Sequence, residues 1–416
     1  MASHSRTVQK SRTVEEHRAV VAALFPLAPA EEVRLAQARG RVLAADVVAA
    51  VSLPPFDNSA MDGYAVRAAD LAGASGASPV ELAVAADIPA GRSDVPPLEP
   101  GTVHRIMTGA PMPAGADAII PVEQTDGGVT RVRLAAAPTP GAHLRRAGED
   151  VRAGDVVLAA GTVLGAPQIG VAAAVGSATV SVRRSPTVLV LSTGSELVVP
   201  GTALRSGQIY DSNGPMLAAA VEEAGGCAEL LRFVPDDVEQ FLDRLRDRLD
   251  SGQVDLVLTS GGVSAGAYEV VKDAFTDRGV TFVKVGMQPG GPQGAGRVAE
   301  LGGVGVGVVT LPGNPVSSLV SFEVFVRPAL RAALGHPYPD RPVVTATLGE
   351  RWRSPTGRRQ FRRGVLDAAR GTVREIGTPA SHLLGSLARA DCLAVVPEDV
   401  TELDEGAAVQ VWLLTG

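Results

Sequence analysis

The sequence predicts a multidomain α/β protein whose central domain is a doubly wound, mostly parallel β-sheet. Three buried strands, 187–191, 254–258 and 304–311, alternate with helical segments between residues 185 and 335. Such an alternation indicates parallel strands with helices on both faces of the sheet. The chain has 416 residues, which corresponds to about two to four domains. Apolar residues make up 45% and charged residues 20% of the chain, so a large core can form and wholesale disorder is excluded.

Capping residues and apolar periodicity predict the helices. Thr13 can cap a helix that runs to about Leu24, and Asp236 or Asp237 can cap another whose apolar stripe includes Leu245. Ser212 or Asn213 can begin a third, which ends at Gly225-Gly226. We expect residues 1–12 to form a frayed tail and further helices at 31–38, 267–278 and 315–334.

Regions before and after the central domain are predicted to be rich in short strands. Residues 54–145 combine many glycines and prolines with strand-like pieces and form an inserted β-rich module. This module interrupts an N-terminal linker region made of residues 1–53 and 146–184. The central α/β domain spans 185–335, and a C-terminal β domain spans 336–416, with short strands at 341–348, 364–366, 372–376, 392–396 and 409–413.

Composition and charge exclude several classes of protein. The 38 Lys and Arg against 45 Asp and Glu give a net charge of −7, without the basic run that nonspecific nucleic-acid binding requires. No stretch is long and apolar enough for a membrane span, and the N-terminus has no secretory signal pattern, so we expect a cytoplasmic protein. Cys227 and Cys392 fit no disulfide framework or zinc motif, and we expect both to be buried.

Each of the three central strands ends in a loop rich in Gly, Ser and Thr. Ligands of open α/β sheets bind at the carboxyl ends of the strands, and glycine loops before helices expose N–H groups that suit phosphates. Neither a Walker A motif nor a dinucleotide fingerprint is present. A single such loop is as readily a tight turn, but three on one sheet edge predict a binding site. The loops are 192–196, 259–264 and 312–318.

Carboxylates also lie in loops or at the ends of elements. Carboxylates beside a phosphate site favour a divalent cation, because they would otherwise repel the ligand. Several could instead be helix caps or Asx turns. None of the six histidines lies in a triad pattern or at metal-ligand spacing, which disfavours a hydrolase or a zinc enzyme. Metal-assisted chemistry on a phosphorylated ligand is therefore favoured. The carboxylates are Asp62, Asp150, Glu196, Asp211 and Asp236.

Six motifs, in a fixed order over about residues 13–416, identify the family. The chain resembles the molybdopterin molybdenumtransferase (molybdenum insertase) family, which includes the C-terminal domain of gephyrin. The first motif, Phe-Asp-Asn-Ser-Ala-Met-Asp-Gly-Tyr-Ala-Val, and the last, Leu-Pro-Gly-Asn-Pro-Val-Ser, are long enough to be highly specific. The six motifs are 56–66, 107–111, 148–150, 192–197, 259–264 and 311–317.

The resemblance implies a structure and a reaction. It implies an elongated four-part subunit with a β-barrel-like C-terminal domain, and a head-to-tail homodimer with the site between subunits. It implies that adenylylated molybdopterin and molybdate are the substrates, that molybdenum is inserted at the dithiolene sulfurs, and that AMP is released with the help of Mg²⁺. It also implies contact with the molybdopterin adenylyltransferase.

The resemblance assigns roles to individual residues. Asp62, Thr108, Asp150, Glu196 and Asp236 form an acidic and polar cluster, of which Asp62, Glu196 and Asp236 place the Mg²⁺. Pro312 and Pro315 shape the floor of the site, and Arg363 and Ser381 bring oxyanion contacts from the C-terminal domain. The pterin and phosphates are held by Ser192, Thr193, Gly194, Ser260, Gly261, Gly262, Ser264, Gly313 and Asn314, with Lys284 nearby.

One segment departs from the family pattern. Where the family commonly has Lys-Pro-Gly-Lys-Pro, this chain has Gln288 and Gly291 in place of the two lysines, and Glu269 replaces a common Asp. Lys284 and Arg297 remain as nearby cations. Two alternatives stay open: a catalytically degenerate scaffold of the same fold, and a nucleotide pyrophosphatase or adenylyltransferase that shares only the α/β domain. The latter would not explain residues 57–64 or the C-terminal domain.

Overall fold

A mixed sheet of seven strands forms the centre of the molecule. The computed structural model describes residues 11–231, 237–261, 270–301 and 305–414. Four neighbouring strands are parallel, as predicted. The sequence patterns did not reveal the adjoining hairpin of Val280–Val285 and Pro292–Val298, whose second strand runs antiparallel to Val306–Leu311. The strand order is Ser11–Arg12, Val280–Val285, Pro292–Val298, Val306–Leu311, Leu256–Ser260, Thr187–Ser192, Cys227–Leu231.

Helices cover both faces of this sheet, as the sequence predicts. Leu189 and Val257 face one apolar core, and their neighbours Val190 and Leu258 face the other, as the alternation of strand side chains requires. Asp237 caps its helix by accepting a hydrogen bond from Gln240 N at 2.9 Å, whereas Asp236 lies outside the described residues. The helices of this domain are Asn213–Glu223, Val238–Asp250, Val270–Phe275 and Pro315–Ser321, which continues through π-helical Phe322–Val326 into Arg327–Ala333.

The N-terminal region confirms one predicted helix and corrects two other expectations. The helix Val14–Ala22 begins with a capping box between Thr13 and Glu16. The frayed tail expected at 1–12 is wrong for Ser11–Arg12, which pairs with Val280–Val285, and residues 1–10 lie outside the described residues. The helix expected at 31–38 is wrong. Ala30–Arg34 is a strand paired with Thr179–Arg183, because its alternating burial suits a sheet and this pairing overrides local helical preference.

The inserted module contains a five-stranded sheet of its own. Tyr64 is fully buried there, and its hydroxyl donates to Gly128 O at 3.0 Å. The sheet order is Ala118–Pro121, Gly63–Val66, Thr102–Ile106, Val80–Ile88, Arg131–Leu134. The remaining elements of the N-terminal half are the helix Ala166–Ala174, short 3₁₀ turns at Leu35–Gln37, Ala68–Leu71 and Val122–Gln124, and strands Val47–Val48, Asn58–Ser59, Leu144–Arg145 and Val156–Leu158.

The C-terminal domain is a closed β-sheet, which confirms the expected barrel-like form. Closure comes from the additional pairing of Arg359–Asp367 with Cys392–Val396. Met287–Gln288 of the α/β domain adds a parallel strand to it and so couples the two domains. The sheet order is Met287–Gln288, Arg359–Asp367, Thr372–Glu375, Val343–Leu348, Ala408–Leu413, Cys392–Val396. The helix Leu384–Leu387 and the short strands Leu197–Val198, Ile209–Tyr210, Trp352–Arg353 and Glu402–Leu403 complete the set.

Two further expectations can be compared with the structure. Cys392 is buried, but Cys227 is exposed on the edge strand, so the expectation that both cysteines are buried is wrong for Cys227. Within the described ranges, no helix has both the length and the apolar character needed to cross a bilayer.

A buried ion pair joins the π-helical turn to the segment that leads into the C-terminal domain. The Glu323 carboxylate accepts hydrogen bonds from Arg341 Nε at 2.8 Å and Nη2 at 3.0 Å. Both side chains are about nine-tenths buried or more, at 6% and 5% exposure. Arg341 also donates to Glu223 at 2.7 Å. Such pairs are costly to break, because removal of one partner leaves an uncompensated buried charge.

We expect Glu323→Ala to lower the free energy of unfolding by about 3–5 kcal/mol, because the Arg341 guanidinium would stay buried without its main partner. Urea denaturation followed by circular dichroism measures this. The control is Glu222→Ala, which removes an exposed glutamate on the neighbouring helix and should change stability by less than about 0.5 kcal/mol. Equal effects of the two substitutions would contradict the assignment.

Candidate active site

A cavity of about 1120 Å³ lies at the carboxyl ends of the parallel strands. All three predicted loops contribute to its wall, which confirms that the strand ends converge. The segment 287–292 and residues 379–382 of the C-terminal domain close its other side. Among the predicted binding residues, those that line it are Ser192, Thr193, Gly194, Glu196, Ser260, Gly261, Lys284, Pro312, Gly313, Asn314, Pro315 and Ser381.

The side-chain amide of Asn213 holds the loops together. Its Nδ2 donates to Ser260 Oγ and to Gly313 O, both at 2.7 Å. Ser260 Oγ in turn lies 3.3 Å from Ser318 Oγ. The helix start at 213, the end of one strand and the loop after another are therefore fixed to one another. The sequence suggested only a helix cap at Asn213, because Asp-Ser-Asn before a helix has the pattern of a cap.

Two polar atoms of this wall are buried without a partner among the described residues. They are Asn213 Oδ1 and Ser192 Oγ. A buried unpaired polar atom costs about 1–3 kcal/mol, so native structures seldom keep one without a function. Both atoms are therefore candidates for ligand contacts.

Close backbone approaches explain the glycines of the first two loops. A Cβ on Gly194 would lie 2.6–2.8 Å from the carboxylate atoms of Glu196, which folds back over it. A Cβ on Gly261 would lie 2.8 Å from Thr193 O, and Gly261 has a φ of +99°. Only glycine fits these positions without displacement of the neighbouring backbone or of the carboxylate.

The C-terminal domain supplies Ser381 to the cavity, and Arg363 positions it. Asn314 Nδ2 donates to Ser381 Oγ at 2.9 Å, and Val316 N donates to Ser381 O at 3.1 Å. Arg363 is 3% exposed, and its guanidinium donates to the carbonyls of Thr378 and Ala380. Arg363 does not line the cavity, and these two bonds hold the loop that carries Ser381.

Three of the predicted acidic-cluster residues lie elsewhere in the subunit. Asp62 and Thr108 lie at the surface of the inserted module, and Asp150 is exposed in the linker region. Asp62 Oδ1 accepts hydrogen bonds from Thr108 Oγ1 and Thr108 N, both at 2.7 Å. These two bonds hold the pKa of the Asp62 carboxyl below its usual value. None of the three lines the cavity that contains Glu196.

The predicted metal ligands are accordingly not assembled in the described part of one subunit. No group of three or more His, Cys, Asp or Glu suited to a metal ion occurs among the described residues. The predictions for Gly262, Ser264 and Asp236 lie outside the described residues, as does Glu269. Asp211, one of the five loop carboxylates that the sequence offers, lines the cavity together with Glu196.

The segment that departs from the family pattern forms part of the cavity wall. Gln288 Oε1 accepts a hydrogen bond from Gln360 Nε2 at 3.2 Å. At Gly291 an added Cβ would meet only ordinary contacts, the nearest being Val285 O at 3.5 Å. Lys284 lines the cavity. Arg297 does not line it, and its guanidinium donates to Gly305 O at a distance of 3.0 Å.

Comparison with known proteins decides the family. The model of the MoeA N-terminal region (domains I and II) matches residues 12–176. The model of a probable molybdopterin binding domain matches residues 189–332, and that of the MoeA C-terminal region (domain IV) matches 345–414. Molybdopterin molybdenumtransferase 2 of Mycobacterium tuberculosis is 56% identical over 411 residues, covering 97% of this chain and 100% of that protein. The chain belongs to the MoeA family.

Other MoeA proteins agree with this assignment. The molybdopterin molybdenumtransferase of Haemophilus influenzae is 35% identical over 390 residues, with 92% of this chain and 93% of that protein covered. The molybdopterin biosynthesis MoeA protein of Pyrococcus horikosii has a solved structure that superposes with a TM-score of 0.81 at 34% identity, covering 98% of this chain and 100% of that one. The MoeA fold is thus shared over 98% of the chain.

We expect Asn213→Ala to loosen the cavity wall, because Ser260 Oγ and Gly313 O would lose their common donor. Amide hydrogen exchange of residues 192–196 and 312–314 should accelerate, and the free energy of unfolding should fall by about 1–3 kcal/mol. The control Asn314→Ala removes a single bond to Ser381 near the surface and should have a smaller effect. Identical exchange in the two variants would contradict the role of Asn213.

We expect Thr108→Val to raise the pKa of Asp62, because the largest cause of its lowering is the hydrogen bond from the Thr108 hydroxyl. The value should stay below that of an ordinary aspartate, since the bond from Thr108 N remains. Titration of the Asp62 carboxyl by NMR measures this. Thr102→Val, which removes a hydroxyl bound to Glu99 O instead, should leave the titration of Asp62 unchanged.

Proposed function

We propose that the protein is a molybdopterin molybdenumtransferase. It takes adenylylated molybdopterin and molybdate, inserts molybdenum at the dithiolene sulfurs and releases AMP. The observation that carries the proposal is the cavity at the strand ends, whose wall is built from three loops rich in Gly, Ser and Thr. The names of the relatives support the same reaction.

The size and lining of the cavity suit a ligand in two parts. Its volume of about 1120 Å³ exceeds the roughly 300–1,000 Å³ that hold a drug-sized molecule. A pterin joined to AMP through a pyrophosphate would fill such a space. The glycine loops would hold the phosphates through backbone N–H groups, and Asn213 Oδ1 and Ser192 Oγ offer unpaired acceptors and a donor for the ring edges.

We infer that the working form is a homodimer whose site lies between subunits. The segment that leads to Asp62, which is exposed with its partner Thr108, carries two exposed large apolar side chains, Phe56 at 45% and Met61 at 37% exposure. Large exposed apolar side chains beside a polar cluster are typical of a protein interface. A second copy would bring this surface to the cavity, so that Asp62 of the partner subunit would complete the cluster that one subunit leaves divided.

The carboxylates present fit a Mg²⁺ ion that is bound together with the substrate. Mg²⁺ is usually held by one or two carboxylates plus phosphate oxygens. No described residue donates a hydrogen bond to the Glu196 carboxylate, and Asp211 lines the same wall. Glu196 of one subunit and Asp62 of the partner subunit would hold the ion; the resemblance also assigns Asp236, which lies outside the described residues, to it. When bound, the ion would neutralise charge on the pyrophosphate.

Location and a further partner belong to the same proposal. A cytoplasmic location fits the two free cysteines, one of them exposed, because a reducing compartment keeps thiols unpaired. The proposed substrate is the product of the molybdopterin adenylyltransferase, so direct contact with that enzyme would protect the adenylylated pterin from hydrolysis.

A catalytically degenerate scaffold is the second candidate, and Gln288 and Gly291 favour it, because neither can act as a cation for an oxyanion. Release of AMP from adenylylated molybdopterin, measured with and without molybdate, separates the candidates. Molybdate-dependent release supports the transferase, and absence of release from the purified homodimer supports the scaffold. Release without retained molybdenum would point to a pyrophosphatase and contradict the proposal.

A mixture of two inactive variants tests the shared site. We expect Asp62→Asn and Glu196→Gln each to abolish molybdate-dependent AMP release. Subunits of the two variants, unfolded and refolded together, should recover about a quarter of the wild-type rate, because half of the dimers are mixed and each has one intact site. Refolded wild-type protein is the positive control. No recovery, with mixed dimers present by native mass spectrometry, would contradict a site between subunits.

A further inference from the structure

A buried glutamine holds the wall segment 287–292 from behind the cavity. Gln293 is 1% exposed and does not line the cavity, whereas the segment just before it does. Its Nε2 donates to Gly290 O at 2.6 Å and to Ser321 Oγ at 2.7 Å. The assignment of the two amide atoms is fixed, because a carbonyl oxygen can only accept. One side chain therefore binds the wall segment to the helix Pro315–Ser321, which follows the third loop.

The surroundings of Gln293 are those of an apolar core. In strand pairing Gln293 lies opposite Val283, and two residues further along its own strand is Ala295. Both of these neighbours belong to the apolar core on one face of the central sheet. Paired and alternate positions of a strand share one face of the sheet, so Gln293 faces this core. An aliphatic residue would suit the position better than an amide.

The amide of Gln293 is also incompletely bonded. Its Oε1 is buried and has no hydrogen-bond partner among the described residues. A buried amide that is only half satisfied is less favourable for stability than an aliphatic side chain of the same size. Native proteins keep such groups mainly where function requires them. The use of Gln293 therefore lies in what its Nε2 holds in place.

Gln293 sets the orientation of one peptide group of the cavity wall. The peptide between Gly290 and Gly291 is trans, so its C=O and N–H point in opposite directions. Because Gly290 O is bound to Gln293, the N–H of Gly291 points away from the amide. Val285 N donates to Gly291 O at 2.7 Å and fixes the next peptide group. These bonds hold the backbone of the wall segment in one arrangement.

A glycine in the wall segment is required by the same contact. Gly290 has a φ of +102°, and an added Cβ would lie 2.6 Å from Ser321 Oγ, the second acceptor of Gln293. Only glycine lets the segment approach the helix so closely. The close approach and the amide clamp are thus two independent signs that the distance between segment and helix is fixed.

We propose that Gln293 is a positioning residue for the reaction in the cavity. It acts through Gly290, because its bonds keep the segment 287–292 at a fixed distance from the third loop and the helix that follows. Reacting groups need such placement, since a displacement of about 1 Å can lower a rate on the order of 100-fold. The proposal rests on the function proposed above and adds to it a residue that lies outside the cavity wall.

A comparison of rate with stability tests this role. Gln293→Met replaces the amide by an apolar side chain of similar size and should lower the kcat of molybdate-dependent AMP release by about 10- to 100-fold. Ser321→Ala removes the second acceptor but leaves the bond to Gly290, and should leave kcat close to the wild-type value. The control Gln240→Met makes the same substitution at an exposed position of another helix and should change neither kcat nor stability.

The double variant Gln293→Met with Ser321→Ala separates positioning from a purely structural role. Both sides of this contact are then apolar, so the urea midpoint should return toward the wild-type value, while kcat stays low. Recovery of kcat together with the urea midpoint would make Gln293 a structural residue and overturn the proposal. If Gln293→Met alone does not fold, the double variant carries the test.

Amide hydrogen exchange distinguishes failure of this proposal from failure of the proposed function. Exchange of residues 286–292, measured by mass spectrometry on the full-length proteins, should accelerate in Gln293→Met and stay as in the wild type in Ser321→Ala. Accelerated exchange in the variant of a wild-type protein that releases no AMP would show that Gln293 positions the segment and that the function is wrong. Unchanged exchange and unchanged kcat in Gln293→Met, with an active wild-type protein, would show that the function stands and the positioning role is wrong.

Discussion

The candidate site depends on the side-chain amide of Asn213, which is hydrogen-bonded to two loops. Asn213 Nδ2 donates to Ser260 Oγ and Gly313 O, each at 2.7 Å. These acceptors follow neighbouring strands of the sheet, so the contact joins the helix start to two strand ends. Both acceptors are satisfied by one side chain, so the two loops are fixed to the helix start without any side chain that enters the cavity from above them. The cavity thus keeps its shape without a side chain that fills it.

Two glycines and one buried arginine also support the loops of the site. Gly194 and Gly261 allow the carboxylate of Glu196 and the carbonyl of Thr193 to approach more closely than a Cβ would permit. Arg363 is buried and holds the loop that carries Ser381. A site formed by backbone and by small polar groups needs such supports, because loops have little packing of their own.

Many charged side chains of this protein form ion pairs with one another. Most arginines that lie near carboxylates are bound to them, and Arg341 is buried with Glu323 at the junction of the last two domains. Lys284 and Arg358, in the cavity wall, make no ion pair with any residue in the described part of the chain. The carboxylates of the predicted cluster lie in two separate places. Glu196 lines the cavity, whereas Asp62 lies in the inserted module, where it is bonded to Thr108. This division is the physical reason for the proposed second subunit.

The sequence by itself determined the sheet class, the three strand-end loops and the family. Buried β-branched runs and helical stripes encode local preference and burial, and both are properties of neighbouring residues. Tertiary structure decided the rest. Residues 30–34 became a strand because Thr179–Arg183 lies beside them, and Asn213 became a clamp because two distant loops meet there. Tertiary contacts also decide which arginines are paired. Arg359, for example, pairs with Glu398, which is far from it in the chain. A local sequence pattern cannot predict such a contact.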